Sequence, residues 1–440
     1  MSDRSLSKSS SIIDQTRPDR TPVQTFIKLL AHGQFGEIAR VLLQKMRTFF
    51  RLGYRAYAIP RHLIRKHPAV DLRFKKAHLK RRLRRLYGHP HRLAPGALRV
   101  AVIVGQGTVQ PKSSAFIRLI SPLTDPSITD KISLQIFPEN TTALPGSFDV
   151  CIIQRTVFDH EDDAKALVRN LKQNNTALVV DSDDGFHALD KTHPEHDVHQ
   201  ERLAALNFLL KSADQIWLST KELAKTYKGL EQKIHVVPNS LDPRVWQQHS
   251  QRSIADRTGP LHLLYMGTAT HDADLGMILP ALDTVARQHP FRLSVIGVSD
   301  DLPQRPWIER LPQAKGSMYP DFVEWFMGIA GFDVGLSPLV DSLFNRCKSD
   351  IKCLDYLAAG MVPVVSDITP YQVKDLDPYI IRSQNDQQSW QKALEQLVSN
   401  PQATRKQLAP MIKNGQEYVW QKRSSQTTAK LLLELLTSLK

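Results

Sequence analysis

Short apolar runs recur along the chain from residue 97 onward, and stretches with helical spacing separate most of them. The first run is LRVAVIVG at 98–105, and five more follow at 132–137, 149–154, 176–181, 215–219 and 234–239. A short run of wholly apolar residues is typical of a parallel strand that is buried on both faces. Strands that alternate with helices predict a doubly wound α/β domain.

The same alternation starts again after residues 238–260, a polar, turn-rich stretch that we predict to be a linker. Further apolar runs lie at 261–267, 291–298, 332–337 and 361–366. Helices are predicted around 274–288, 320–330 and 349–359, and again from about residue 386 to the end. We therefore predict an α/β protein with two Rossmann-like domains, at 97–245 and 246–440.

The N-terminal part of the chain has a different character. Residues 1–20 are polar and Ser-rich, which predicts a disordered tail. Residues 21–96 combine apolar positions at helical spacing with a dense basic tract, so we predict a basic amphipathic helical extension. Residues 1–100 hold 23 Lys and Arg against 5 Asp and Glu, whereas the remaining residues hold 35 against 39. The net charge of +14 therefore belongs to this extension.

Three interpretations of the basic extension stay open. Residues 21–87 could bind an anionic membrane surface, because each basic residue near such a surface contributes about 1 kcal/mol. The helices could instead dock against the catalytic body or a partner. Nucleic-acid binding is the third interpretation, although we expect no nucleic-acid partner; charge alone does not separate the three.

Other features of composition narrow the cellular setting. No run of about 18 or more uncharged apolar residues predicts a membrane-spanning helix, and the first residues do not resemble a secretory signal. A periplasmic-binding-protein architecture would show a similar alternation but normally brings such a signal. The three cysteines have no paired spacing, which favours neither disulfides nor zinc. We expect a cytoplasmic protein, with peripheral association at the inner face of the membrane as a possibility.

The most informative stretch follows the predicted strand at 332–337. A loop at 338–348 leads to a helix with Ser349 as the expected N-cap and Gly360 as the stop. The free N–H groups of a helix start form an anion site, and Lys348 and Lys352 add positive charge. Asp355, two turns further on, could reach a hydroxylated group beside the phosphates. The alternative is a surface helix with solvated lysines.

The segment KSDIKCLDYLAAGMVPVVS (348–366) resembles the donor-site signature of GT-B glycosyltransferases of family 4, also called glycosyltransferase group 1. The stretch at 214–246 resembles the same family. The resemblance implies that Lys348, Ser349 and the Asp350 backbone hold the donor diphosphate, while Asp355 binds the ribose hydroxyls.

This sequence departs from the family pattern at one position. The family usually shows two glutamates separated by seven residues, and here the second is Asp355 and the first is Cys347. Either Asn345 or Asp341 fills the role of the first glutamate, or the chain represents a divergent branch. Arg346 and Lys352 are further candidates for donor contacts.

The segment YMGTATHDADL (265–275) begins the second domain. Gly267 and Thr268 end the strand, and glycine there allows a ligand to approach the backbone. Family members place Arg and Lys after this strand, whereas this chain has His271 and Asp274. His271 is expected either to contact a phosphate or the acceptor, or to cap the next helix through Asp274.

Three carboxylates, Asp181, Asp183 and Asp184, follow the strand at 176–181. They are interpreted as acceptor-binding groups with Asp184 as a base, as a divalent metal site, or as an acidic turn that caps a helix. Arg155 ends the neighbouring strand and is either an acceptor contact or an ion-pair partner of these carboxylates. Asn239 is expected to be structural, at the hinge.

These observations together predict a glycosyltransferase that moves a sugar from a nucleoside-diphosphate sugar to a glycan, lipid-linked or other hydroxyl acceptor. The proposed catalytic residues are Lys348, Asp355 and Asp184. The resemblance implies retention of configuration, with no metal and no cofactor beyond the nucleotide-sugar co-substrate. The alternative is a non-catalytic nucleotide-sugar sensor or scaffold, while an epimerase or a glycan phosphorylase is less well supported.

Overall fold

The structure is a computed structural model that describes most of the chain after residue 95. The described residues are 96–105, 111–191, 193, 195–230, 233–247, 253–267, 271–298, 302–312, 318–329 and 331–439. The predicted tail at 1–20 and nearly all of the predicted extension at 21–96 lie outside them.

The first six strands form one parallel sheet with the order β2-β1-β3-β4-β5-β6. Their bounds are β1 Leu98–Val104, β2 Ile132–Pro138, β3 Val150–Gln154, β4 Ala177–Ser182, β5 Gln215–Leu218 and β6 Lys233–Val236. Each of the six predicted apolar runs overlaps one of these strands. The central strand β3 is buried along its whole length, as its continuous apolar sequence requires.

Helices lie on both sides of the first sheet. A helical stretch follows β1 as α1 Ser113–Ala115, a π-helical turn Phe116–Ile120 and α2 Ser121–Leu123. The other helices are α3 Glu161–Gln173, α4 His196–Ser212, α5 Lys221–Thr226 and α6 Pro243–Trp246, with a single 3₁₀ turn at Phe186–Ala188. The buried side chains of α3 recur at helical spacing. They form one apolar face, which this helix buries in the core.

The second six strands also form a parallel sheet, with the order β12-β11-β10-β7-β8-β9. Their bounds are β7 Leu261–Met266, β8 Phe291–Ile296, β9 Ile308–Leu311, β10 Val334–Ser337, β11 Val362–Ser366 and β12 Ile381–Ser383. The four predicted strands are present. The two edge strands β9 and β12 were not expected from the sequence.

The remaining helices of the described residues come after α6 along the chain. These are α7 Asp272–Ala286, α8 Tyr319–Gly328, α9 Leu343–Arg346, α10 Ile351–Ala358, α11 Gln387–Val398, α12 Pro401–Lys422 and α13 Ser425–Thr437, with 3₁₀ turns at Ile254–Asp256, Thr369–Tyr371 and Lys374–Tyr379. The helices expected from residue 386 onward are therefore present. The expectation for α10 is wrong in one detail, because its N-cap is Asp350 and not Ser349.

The last helix returns to the first sheet. Gln215 Nε2 lies 3.4 Å from the backbone oxygen of Leu435 and 3.0 Å from the hydroxyl of Ser438. Leu432 and Leu436 at the C-terminal end share a buried apolar cluster with β1 and β2. The end of the chain thus packs on the first sheet, although most of residues 246–440 builds the second. None of the described helices is long and apolar enough to cross a membrane.

Candidate functional site

A cleft of about 550 Å³ is lined by residues that follow the carboxyl ends of strands in both sheets. On the first side, Arg155 follows β3 and Asn239 follows β6. On the second side, His271 follows β7, and the segment from Leu339 to Lys352 follows β10. Ligands of open parallel sheets bind at this edge, so the topology alone makes the cleft the candidate site.

One wall of the cleft is cationic. Lys348, Ser349, Ile351 and Lys352 line it around the start of α10. Both carboxylate oxygens of Asp350 accept bonds from Arg423, at 2.6 and 2.7 Å, so the N-cap side chain forms no capping hydrogen bond. The N–H groups of Cys353 and Leu354 donate to the Asp350 backbone oxygen, which leaves those of Ile351 and Lys352 for a partner outside the helix. The wall is therefore suited to an anion.

The two lysines of this wall differ in their surroundings. The Lys348 ammonium lies 4.5 Å from the centre of the Phe344 ring and 3.9 Å from Asp184 Oδ1 of the first domain. The Lys352 ammonium lies 5.4 Å from the centre of the Tyr265 ring. Burial, reinforced by repulsion from Lys348, lowers the pKa of Lys352 to about 8. A bound anion would favour the charged form of Lys352.

Asp355 lies on the same helix as Lys352, but outside the lining of the cleft. The residue keeps some exposed surface, but its Oδ1 atom is buried and has no hydrogen-bond partner among the described residues. Burial raises the pKa of Asp355 to about 7, while Lys352 acts in the opposite direction. A buried carboxylate oxygen without a donor is costly, and a ligand hydroxyl could supply that donor.

His271 lies in the cleft and is hydrogen-bonded to Asp274, with 2.7 Å between Nδ1 and Oδ2. Burial and then Lys352 lower the pKa of His271 to about 4, against the effect of Asp274. Gly267 ends the strand before this loop, and a Cβ there would lie 3.3 Å from the His271 Cβ. The neighbouring Thr268 lies outside the described residues.

The opposite wall is formed by an ion-pair cluster. Arg155 Nε lies 2.5 Å from Asp183 Oδ1, and the same guanidinium also contacts Asp184. Arg155 adopts a left-handed backbone with φ of 58°, a conformation that is costly for a non-glycine residue. Burial raises the pKa of Asp183, whereas Arg155 and Lys348 overcome burial and hold the pKa of Asp184 below its usual value. Asp184 is therefore an ionised carboxylate that faces the cationic wall.

Asp181 does not join this cluster. It is fully buried and forms a bidentate ion pair with Arg118. The same guanidinium donates to Asn239 Oδ1 at 2.8 Å, and Asn239 Nδ2 in turn donates to the Ser349 hydroxyl at 2.7 Å. Asp181 thus supports the start of α10 through a chain of side chains. Within the described residues, the Asp and Glu side chains do not gather into a metal-binding group.

Three more candidate positions lie outside the cleft lining. Asn345 Nδ2 donates to the backbone oxygen of Val340, and Arg346 is exposed and paired with Asp341. Cys347 is buried, and a Cβ on Gly185 of the first domain would lie 3.3 Å from the Cys347 Cβ. Cys347 is therefore a packing residue between the domains, and the structure brings neither Asn345 nor Arg346 to the cationic wall.

The cleft also contains residues that the sequence did not single out. Among them are four with titratable side chains: Lys112, His193, Glu195 and His199. His199 Nδ1 lies 3.0 Å from the Thr156 hydroxyl, and its ring packs on Phe186 with 4.4 Å between centroids. For His193, Glu195 and His199 the only signal in the sequence is the polar run at 193–199, which no strand end marks as part of a site.

No protein-family model matches the chain, and no curated protein matches it in sequence. Solved structures match in fold. An alpha-glucosyltransferase in complex with UDP and a 13-mer DNA containing an HMU base superposes with a TM-score of 0.54 at 13% identity, over 78% of this chain and 100% of that chain. Anabaena Alr3699/HepE in complex with UDP gives a TM-score of 0.53 at 11% identity, over 78% and 100%. A glycosyltransferase from Rickettsia africae gives 0.50 at 9% identity, over 78% and 99%.

These likenesses show the fold of the chain. The two parallel six-stranded sheets with their helices have the two-domain α/β architecture of GT-B glycosyltransferases. The predicted fold class is therefore confirmed for the part of the chain that the structure describes.

Proposed function

We propose that the protein is a glycosyltransferase that moves a sugar from a nucleoside-diphosphate sugar to a hydroxyl acceptor. The observation that carries the proposal is the cationic wall at the start of α10, where Lys348 and Lys352 lie at a helix start whose N-cap side chain forms no capping hydrogen bond. This wall faces the ionised Asp184 of the other domain across the cleft. A UDP-sugar is the first donor to test, since two solved structures of this fold contain UDP.

The chemistry that the wall suits is the departure of a nucleoside diphosphate. As the bond from the anomeric carbon to the β-phosphate oxygen breaks, negative charge grows on that oxygen. Fixed positive groups accelerate the step because they stabilise this charge more strongly than they stabilise the intact donor. Lys348 and the helix amides supply these groups, and Lys352 becomes fully protonated once the diphosphate is beside it. Asp355 would bind the ribose hydroxyls, which gives its Oδ1 the missing hydrogen bond.

The acceptor would enter from the side of the first domain. Asp184 is the carboxylate of the first domain that pairs with Lys348 of the cationic wall, and we propose that it receives the proton of the acceptor hydroxyl or orients that hydroxyl. Arg155 and Asp183 hold Asp184 in place. The resemblance of 348–366 to the family 4 signature supports retention of configuration without a metal. A glycan or a lipid-linked sugar remains the proposed acceptor class.

The decisive experiment compares donor binding and donor hydrolysis in four purified full-length proteins: wild type, Lys348→Ala, Asp355→Ala and Lys392→Ala. Lys392 is exposed on α11, outside the cleft, and serves as the matched control. Removal of one charge-stabilising donor typically lowers turnover by about 10²–10³-fold. In Lys348→Ala we expect UDP-glucose hydrolysis to fall by about 10²–10³-fold. We expect weaker UDP binding in Asp355→Ala and no change in Lys392→Ala. Unchanged binding and turnover in both Lys348→Ala and Asp355→Ala would remove the proposed site.

A sensor without activity is the second candidate, and the burial of Cys347 is the observation that favours it. The position where the family usually has a glutamate cannot contact a donor here, because it packs against Gly185. A sensor would bind the nucleotide sugar and release no UDP with any acceptor offered, and Lys348→Ala would then affect binding alone. Membrane association through residues 21–87 stays a prediction, since these residues lie outside the described part of the chain.

A further inference from the structure

We propose that His271 recognises a hydroxyl group of the donor's sugar by accepting a hydrogen bond at its Nε2 atom. This inference rests on the proposed function and deepens it, because it assigns a residue that would determine which sugar is transferred.

The His271 ring is held in one orientation. Its Nδ1 lies 2.7 Å from Asp274 Oδ2, and the other oxygen of that carboxylate accepts a bond from the Val340 amide at 2.7 Å. The Tyr265 hydroxyl donates to the His271 backbone oxygen at 2.8 Å. Asp274 is buried, so its carboxylate has little freedom to turn. Contacts from three elements therefore fix both the ring and the residue that carries it.

The partner of Nδ1 decides the chemistry of Nε2. A carboxylate only accepts hydrogen bonds, so Nδ1 must carry the proton, and in a neutral imidazole Nε2 then presents a lone pair. The charged groups around the ring are Asp274, Lys348, Lys352 and Asp184. Burial and the two lysines favour the neutral ring, and they outweigh Asp274. Nε2 makes no hydrogen bond to any of the described residues, while the ring lines the cleft.

An acceptor atom does not suit a phosphate, which itself only accepts hydrogen bonds when it is ionised. The ammonium groups of Lys348 and Lys352, on the cationic wall of the cleft, suit the phosphates instead. The chemical group attached directly to a donor's diphosphate is the sugar, whose hydroxyls can donate. His271 is therefore matched to a sugar hydroxyl and not to the diphosphate.

The test measures the affinity of UDP, UDP-glucose and the four monodeoxyfluoro UDP-glucose analogues by titration calorimetry. Fluorine replaces a hydroxyl at similar size but cannot donate a hydrogen bond. We expect wild type to bind one of the four analogues about tenfold more weakly than UDP-glucose, the effect of one lost hydrogen bond. In His271→Ala, UDP-glucose should weaken by about the same factor, the discrimination should vanish, and UDP should bind as in wild type.

Two further variants sharpen the test. In Asp274→Asn the amide can donate to Nδ1, so Nε2 would carry the proton and the discrimination against fluorine should again vanish. His160→Ala is the control, because His160 is exposed and outside the cleft; melting curves establish that each variant is folded. Retained discrimination in folded His271→Ala would overturn the assignment, and so would equal weakening of UDP and UDP-glucose, which would indicate a contact with the nucleotide. Failure of wild type to bind UDP at all would instead defeat the proposed function, and this inference with it.

Discussion

At the scale of single residues, α10 carries two groups whose ordinary protonation is opposed by burial. The pKa of Lys352 is lowered to about 8, and that of Asp355 is raised to about 7. Groups that bind ligands often have shifted pKa values, because a site that excludes water from a charged group leaves that group without a partner until the ligand binds. A diphosphate beside Lys352 and a hydroxyl beside Asp355 would each restore the charged form.

The lowered pKa of Lys352 predicts that UDP binding takes up protons. At about pH 8 roughly half of the Lys352 side chains are neutral, and a bound diphosphate raises the pKa, so up to about half a proton per UDP should be taken up. Because only the protonated form pairs with the diphosphate, UDP affinity should fall as the pH rises through 8. Titration calorimetry in buffers of different ionisation enthalpy measures the uptake.

Lys352→Met should abolish this proton uptake, whereas Lys392→Met, on the exposed face of α11, should retain it. Proton release on UDP binding at about pH 8, or an affinity that does not change between about pH 8 and 9, would contradict the assignment of Lys352 to the diphosphate.

At the scale of elements, Tyr356 fixes α10 against the second sheet. Its hydroxyl accepts a bond from the Met266 amide at 3.1 Å and donates to the Leu336 backbone oxygen at 2.9 Å. Its ring lies directly on Gly335 of β10, where an added Cβ would stand 2.3 Å from the Tyr356 Cγ. The contact sets the position of Lys352 relative to the loop that carries His271, so a side chain at 335 would displace the cationic wall.

Gly335→Ala should therefore lower the free energy of unfolding by about 1–3 kcal/mol or more, the usual cost of an overpacked core, and should weaken UDP binding. Gly276→Ala is the matched control. Gly276 lies in α7 with nothing within 4 Å of an added Cβ, and alanine there should stabilise the helix by up to about 1 kcal/mol. Urea denaturation measures the free energy of unfolding of both variants. Equal stability of the two variants would show that the ring does not fix α10.

The sequence pattern predicted the central strands and missed two edge strands for a physical reason. Central parallel strands are buried on both faces and are apolar throughout, whereas β9 exposes Glu309 and Arg310 and β12 has only three residues. The cap of α10 was misplaced because the Ser349 hydroxyl is bonded to Asn239 of the other domain. Local sequence carries no information about such a long-range partner.

The sequence predicted those residues of the candidate site that follow the end of a strand. Lys348, Lys352, His271 and Asp184 all come soon after a strand, and the structure brings all four to the cleft. The positions of Asp181 and Arg346 depend on ion pairs with Arg118 and Asp341, which the pattern of apolar residues does not encode. Likewise, Glu195 and His199 reach the cleft from a loop and a helix start that no strand anchors. Their roles in binding stay predictions.

At the scale of the whole molecule, a few contacts join the two walls of the cleft. Asn239 bonds to the Ser349 hydroxyl, the Thr220 hydroxyl donates to the Cys347 backbone oxygen at 3.0 Å, and Lys348 pairs with Asp184. The first two contacts hold the start of α10 against the first domain. The third contact joins Lys348, the proposed diphosphate contact, to Asp184, the proposed contact of the acceptor substrate. A diphosphate that attracts Lys348 would therefore also free Asp184 for the acceptor.

A crystal structure of the complex with UDP-glucose tests the central claim most directly. We predict that the diphosphate contacts the ammonium groups of Lys348 and Lys352 and the first amides of α10, with Lys348 turned away from Asp184. A nucleotide bound elsewhere, or phosphates directed away from this wall while Lys348 stays paired with Asp184, would contradict the account.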